Sequence, residues 1–109
     1  MKTDNVKIVV FVPEPHTDAV RNAIGGVGAG LIGNYGFCSF STKGVGRYKP
    51  LEGAKPIIGK VGKLESAKEE RIEFVCPKSL IDNVVKAIKK AHPYDEVALD
   101  IYPLLGYEQ

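Results

Sequence analysis

The sequence predicts an α+β domain of βαββαβ order, with a four-stranded antiparallel sheet carrying two helices on one face. Three observations predict it. A β-branched run from Val6 to Val12 is ended by Pro13, and a second alternating run, Val97, Leu99 and Ile101, is closed by Pro103. Between them lie two segments whose apolar residues recur at helical spacing, each followed by a helix breaker. With 109 residues, the chain has material for one hydrophobic core and is read as one domain, 1–109.

The first strand, Val6 to Val12, is apolar at Ile8, Val10 and Val12 and again at Val9 and Phe11, as expected of a central strand covered on both faces. A helix follows from Pro15 to Ile24, with Ala19, Val20, Ala23 and Ile24 inward and Gly25-Gly26 as its stop. Tyr35 to Thr42 is the second strand. From Lys43 to Ser66 the chain is rich in glycine and carries Pro50 and Pro56, which predicts a long ordered loop or a ragged hairpin. Arg71 to Cys76 is the third strand. Ser79 to Ala91 is the strongest helix, with Ile81, Val84, Val85 and Ile88 buried and Ser79 and Asp82 resembling a capping box. His92-Pro93 ends it, and the last strand follows. Both crossovers then place the helices on one face of a ferredoxin-like sandwich. The other face is left open, yet the first strand is apolar there and the fourth offers Ala98 and Tyr102. Either a second copy of the chain covers it or the long loop folds back over it.

Composition excludes several function classes. Fifteen basic and thirteen acidic residues give a net charge of +2, too weak a bias for nucleic acid or an anionic membrane. The longest apolar run, Ile8 to Val12, is far shorter than a bilayer span, and the first residues lack the pattern of a signal peptide, so the expected location is the cytoplasm. Cys38 and Cys76 form no CxxC pair and are expected to be buried, inert thiols.

Gly28-Ala29-Gly30-Leu31-Ile32-Gly33 matches GxGxxG by letter. A dinucleotide site needs those glycines after a strand and before a helix. Here the order is reversed, so a helix stop and a tight turn with positive φ explain them better. The turn remains a candidate anion nest, to which Lys43, Arg47, Lys49 and Lys55 would bring charge; otherwise these are solvated loop cations. His16 and His92 are the only histidines, thin material for a metal centre. GxSxG and HExxH are both absent. His92-Pro93-Tyr94-Asp95-Glu96 is the densest polar cluster. Read as extended strand, Asp95 and Glu96 point to opposite faces and do not share a site, so the segment is expected to be a turn that sets the last strand's register.

Together, Val12-Pro13 with His16, Gly28 to Phe40, Pro50-Leu51-Glu52-Gly53, Pro56 with Ile58-Gly59, His92 to Glu96 and Asp100 to Leu104 resemble one specific domain. It is the CutA/PII-like domain inserted into members of the Nif-three-like family, the GTP cyclohydrolase type 2 homologs. The resemblance covers nearly the whole chain. It departs at Asp95-Glu96, where Glu-Glu is usual, and at the glycine-rich helix end Gly25-Gly26-Val27. The resemblance places the family's metal ligands in a flanking domain, so none carries over. The wider resemblance to CutA and PII proteins implies a homo-oligomer, a trimer ahead of a dimer, with effectors in clefts between subunits and a regulatory arm at the position of residues 43–66. RNA-recognition domains share the strand order but need exposed aromatics on the third strand. Acylphosphatases share it too, but need an arginine-bearing anion loop that Val12 to His16 does not supply.

The reading is thus a regulatory or ligand- and partner-binding module with no cofactor and no assigned catalytic residue. Its candidate binding residues are Gly28, Gly30, Gly33, Asn34, Tyr35, Lys43, Arg47, His92 and Tyr94, for a small anionic ligand or a partner protein. The competing reading is a metal-binding protein or hydrolase using His16, His92, Asp95 and Glu96.

Overall fold

The computed structural model describes residues 4–106. Strand β1 (Asn5–Pro13) leads through a 3-10 turn (Glu14–His16) into helix α1 (Thr17–Gly26). Strands β2 (Phe40–Tyr48) and β3 (Glu65–Pro77) form a hairpin, a second 3-10 turn (Lys78–Leu80) opens helix α2 (Ile81–Ala91), and β4 (Leu99–Pro103) closes the sheet. The sheet order is β2-β3-β1-β4 and every neighbouring pair is antiparallel. Each βαβ crossover therefore skips one strand, which is the predicted sandwich.

The core lies on one face. Val6, Ile8, Val10 and Val12 of β1, with Ile72, Phe74 and Cys76 of β3, meet Val20 and Ile24 of α1 and Val84 and Ile88 of α2. Period-2 alternation in the strands and period-3.6 in the helices select these residues. Ile8, Ile72 and Ile88 are completely buried, each contributing about 1.5–3 kcal/mol by removal from water. On the opposite face Val9 is also buried, among Lys7, Phe11, Glu73 and Asp100 of its own and neighbouring strands. Lys7 and Arg71 both pair with Glu73 there, at 3.6 and 3.7 Å. The apolar second side of β1 is thus partly covered by long charged side chains of the same sheet.

Several expectations are corrected. The second strand starts at Phe40, not Tyr35, and runs through Gly44 and Gly46 to Tyr48, so the first residues of the expected 43–66 loop are ladder. Gly46 is accepted in a strand because the Glu69 side chain lies where its Cβ would stand. The third strand begins at Glu65, not Arg71, and the fourth at Leu99, not Val97. Strand β3 is about 43 Å long at ~3.3 Å per residue, which accounts for the molecule's 48 Å long axis. Its first four residues, 65–68, have no β1 partner and project with the end of β2.

Gly25-Gly26 does not stop α1 but completes it. The stop is Gly28, at φ +93°, with Gly28 N–H donating to Gly25 C=O and Ala29 N–H to Ile24 C=O. That is a Schellman motif, with buried Ala29 against Ile24 as its apolar contact. Ala19 is exposed rather than inward. Ser79 makes no capping bond, because the chain enters α2 through a 3-10 turn. Cys38 is half-buried, while Cys76 is buried as expected, and burial pushes its thiol up.

Candidate functional site

The open face carries the site. His92 caps the end of α2 in extended conformation, which turns the chain back across β1. Its backbone N–H donates to Ile88 C=O at 2.8 Å, and its ring is buried. The Tyr94 amide N–H donates to Nδ1 at 3.2 Å, so Nδ1 is bare. The proton therefore sits on Nε2, which donates to the Phe11 carbonyl at 2.7 Å. Burial holds the His92 pKa below its ordinary value, against the opposing pull of the Phe11 bond and the Glu69 charge. His92 is a neutral strut between α2 and β1, with both nitrogens committed.

Tyr94 lies next to it, the two rings 4.9 Å apart. Its hydroxyl donates to Glu69 Oε2 at 2.9 Å. Burial first, then the Glu69 bond and charge and the Tyr48 hydroxyl, push the Tyr94 pKa far up, so it remains a donor. Tyr48 stacks edge-on against Tyr94 at 6.0 Å and donates its own hydroxyl to Ile58 C=O at 2.8 Å. The loop 49–64 is thereby drawn toward the sheet. A second tie runs from the Lys55 N–H to Asp95 Oδ2 at 3.0 Å, and Gly62 N–H to Pro50 C=O closes the loop's base at 2.7 Å.

Between the loop and the sheet lies a cavity of about 820 Å³, within the range of small-molecule sites. Phe11, Tyr48, Tyr94 and Ala98 form its floor, and Pro50, Leu51, Ile57 and Ile58 its loop wall. Its ionisable lining is Glu52, Glu69, Asp95 and Glu96 against Arg47 and Lys49. Asp95 and Glu96 both line it, contrary to the strand alternation expected of them, because 94–96 is a bend and not a strand.

Of the residues singled out in the sequence, the structure brings Arg47 and Tyr94 to this cavity, with His92 behind Tyr94. It does not bring Gly28, Gly30, Gly33, Asn34, Tyr35 or Lys43 there. Gly30, at φ +77°, donates to Val75 C=O and accepts from Cys38 N–H, both at 2.8 Å, near the far end of β3. Gly33 has φ +55° at the first central position of the turn Ile32-Gly33-Asn34-Tyr35, as a type II′ turn requires. These glycines are structural, and Asn34 and Tyr35 are exposed around them. Lys43 is exposed on β2 opposite Glu70. Among the described residues no three His, Cys, Asp or Glu side chains are grouped as a metal site requires. With both His92 nitrogens bonded, the set His16, His92, Asp95 and Glu96 does not fit a metal.

Sequence reasoning missed Glu69 and Phe11, and held Tyr48, Leu51 and Ile57 only as members of the 43–66 segment expected to be the regulatory arm. No local signal marks Glu69, which stands in the charged run 68–71.

No protein-family model matches the chain. It is 53% identical over 98 residues to a GTP cyclohydrolase 1 type 2 homolog of Bacillus subtilis, a match covering 90% of the chain and 26% of that protein. A solved structure of a Bacillus cereus protein related to NIF3 superposes with TM-score 0.82 and 48% identity over 95% of the chain and 26% of that protein. The divalent cation tolerance protein CutA of Archaeoglobus fulgidus superposes at TM-score 0.69 with 13% identity, over 96% of the chain and 88% of its own, which shows a shared fold. The chain thus spans about a quarter of the relatives that match it in sequence.

Proposed function

We propose, from the premise that this chain belongs to the Nif-three-like family as the CutA/PII-like domain of the GTP cyclohydrolase 1 type 2 homologs, that it is a binding module and not a catalyst. The observation that carries this reading is the cavity of about 820 Å³ between the loop 49–64 and the sheet. Its floor holds aromatic rings and one carboxylate, and burial keeps the proton on the Tyr94 hydroxyl beside that carboxylate. The Tyr48 and Asp95 ties make the loop a segment whose position a bound ligand would report to the surface.

The module works as a cytoplasmic homo-oligomer, in our reading a trimer. Support comes from the apolar side chains left exposed at the β2 edge and the turn before it: Leu31, Ile32, Tyr35, Phe37 and Phe40, all 49% exposed or more. Such a patch is uncommon on a monomer. Among the described residues no helix is long and apolar enough to cross a membrane.

Two measurements test this. Native mass spectrometry of the gently purified chain should give three times the chain mass; a monomer at micromolar concentration overturns the assembly. An amide NMR screen of small organic fragments should give binders that shift residues 46–58 and 94–98. A screen whose binders all map elsewhere overturns the cavity as the binding site.

A further inference from the structure

The carboxylate of Glu69 is the most unusual group in the molecule. The residue is only 8% exposed, yet it lines the cavity. Oε2 accepts from Tyr94, and Oε1 lies over Gly46, where a Cβ would displace it. Among the described residues no Lys, Arg or His forms an ion pair with it. The nearby cations of the same sheet face, Lys7 and Arg71, pair with Glu73 instead. A buried carboxylate is stable only when its charge is met by a partner or by hydrogen bonds. Tyr94 meets part of that charge, and the cavity that Glu69 lines leaves the rest to water or a ligand.

We propose that the cavity binds an organic cation, a protonated amine carried on an apolar or aromatic body, with the Glu69 carboxylate as its counter-ion. This rests on the reading of the cavity as a ligand site. The surroundings fit that chemistry on three counts. Carboxylates outnumber cations in the lining, Glu52, Glu69, Asp95 and Glu96 against Arg47 and Lys49, and of these charged residues Glu69 alone is buried. Phe11, Tyr48 and Tyr94 supply aromatic rings, whose faces attract a cation. Leu51 and Ile57, 68% and 65% exposed, offer apolar surface that a hydrocarbon body would cover. An anionic ligand would be repelled by the Glu69 charge, which disfavours it.

The test compares three probes of one shape and different charge by amide NMR titration of the 109-residue chain at neutral pH. They are 3-phenylpropylammonium, 3-phenylpropanol and 3-phenylpropionate. The ammonium should shift residues 46–58 and 94–98 and bind about ten-fold or more tighter than the alcohol, with the carboxylate weakest. In Glu69→Gln the ammonium should fall to the level of the alcohol. If the alcohol or the carboxylate binds as tightly as the ammonium, the cation assignment is overturned while the ligand site stands. If none of the three shifts these residues, the site itself falls with it. An unchanged ammonium affinity in Glu69→Gln overturns the role of Glu69. Should that variant not fold, the ranking of the three probes on the unaltered chain decides alone.

Discussion

The Tyr94 hydroxyl donates to the Glu69 carboxylate at 2.9 Å across twenty-five residues of chain, joining the bend after α2 to the middle of the long hairpin. Tyr94→Phe keeps the ring and removes the donor, leaving a buried carboxylate with one bond fewer. The expected loss is about 1–2 kcal/mol of stability, below the upper range for charged partners because Tyr94 is half-buried. Urea unfolding checks it. The raised Tyr94 pKa also sets a pH dependence. The folded protein keeps a proton that the unfolded chain releases above the ordinary value of 10.0, so this contribution is full below pH 10 and declines as pH rises beyond it. Tyr94→Phe should flatten that alkaline decline.

The same pair shows what was legible in the sequence and what was not. The strand expected at Val6 to Val12 and the helix expected at Ser79 to Ala91, which begins at Ile81 after a 3-10 turn, are legible because their periodicity is set by burial on one sheet face and one helix stripe. Strand β2 lies later in the chain than the expected 35–42, an offset that arises because Gly44 and Gly46 look like loop residues by propensity. The structure needs glycine at 46 so that Glu69 can lie across it. Glu69 itself stands in Lys68-Glu69-Glu70-Arg71, which reads as a solvated charge run. Only the register with β2 and the distant Tyr94 place it beneath the loop. A site assembled from the hairpin, its loop and the α2–β4 bend has no local motif to find, whereas the GxGxxG letters mark a helix stop and a tight turn away from that cavity.

His92 gives a second, acidic dependence. Its folded pKa lies below 6.5 because burial disfavours the charged ring. On acidification the unfolded chain takes up a proton at 6.5 that the folded protein resists, so the stability this residue contributes is full above 6.5 and is lost as pH falls through the lower folded value. Unfolding midpoints measured from pH 7.5 down to about 4.5 should fall more steeply in the unaltered chain than in His92→Gln. An equal slope in both would remove His92 as the source. NMR of the ring should show the proton on Nε2, bonded to Phe11.

The turn glycines separate conformational strain from crowding. Gly30 sits at φ +77°, and a Cβ there would meet the Cys38 carbonyl oxygen at 2.5 Å and its nitrogen at 2.9 Å, both backbone atoms held by the bond to Gly30. Gly33 has φ +55° with open space around it. Gly33→Ala should therefore carry only the backbone penalty of its positive φ, about 1–2 kcal/mol, and Gly30→Ala that penalty plus the crowding, about 3 kcal/mol or more. Thermal unfolding of the two variants checks the order, and equal losses would mean that the Gly30–Cys38 contact relaxes freely.

The loop over the cavity is held at its outer end by one contact, the Lys55 amide on Asp95 Oδ2 at 3.0 Å. Lys55 and Asp95 are exposed, so the bond competes with water and adds little to global stability. Its effect is local: it lowers the population of loop-open states, the low-free-energy openings that hydrogen exchange reads. Asp95→Ala should leave the free energy of unfolding within about 0.5 kcal/mol of the parent, while the Lys55 amide loses protection and exchanges several-fold faster. Gly62, whose N–H is bonded at 2.7 Å to Pro50 at the loop's base, should keep its protection. Loss of protection at both amides would mean that the loop opens as one unit from its base, with Asp95 as its latch. Unchanged exchange at Lys55 would mean that the Tyr48 hydroxyl on Ile58 alone holds the loop closed.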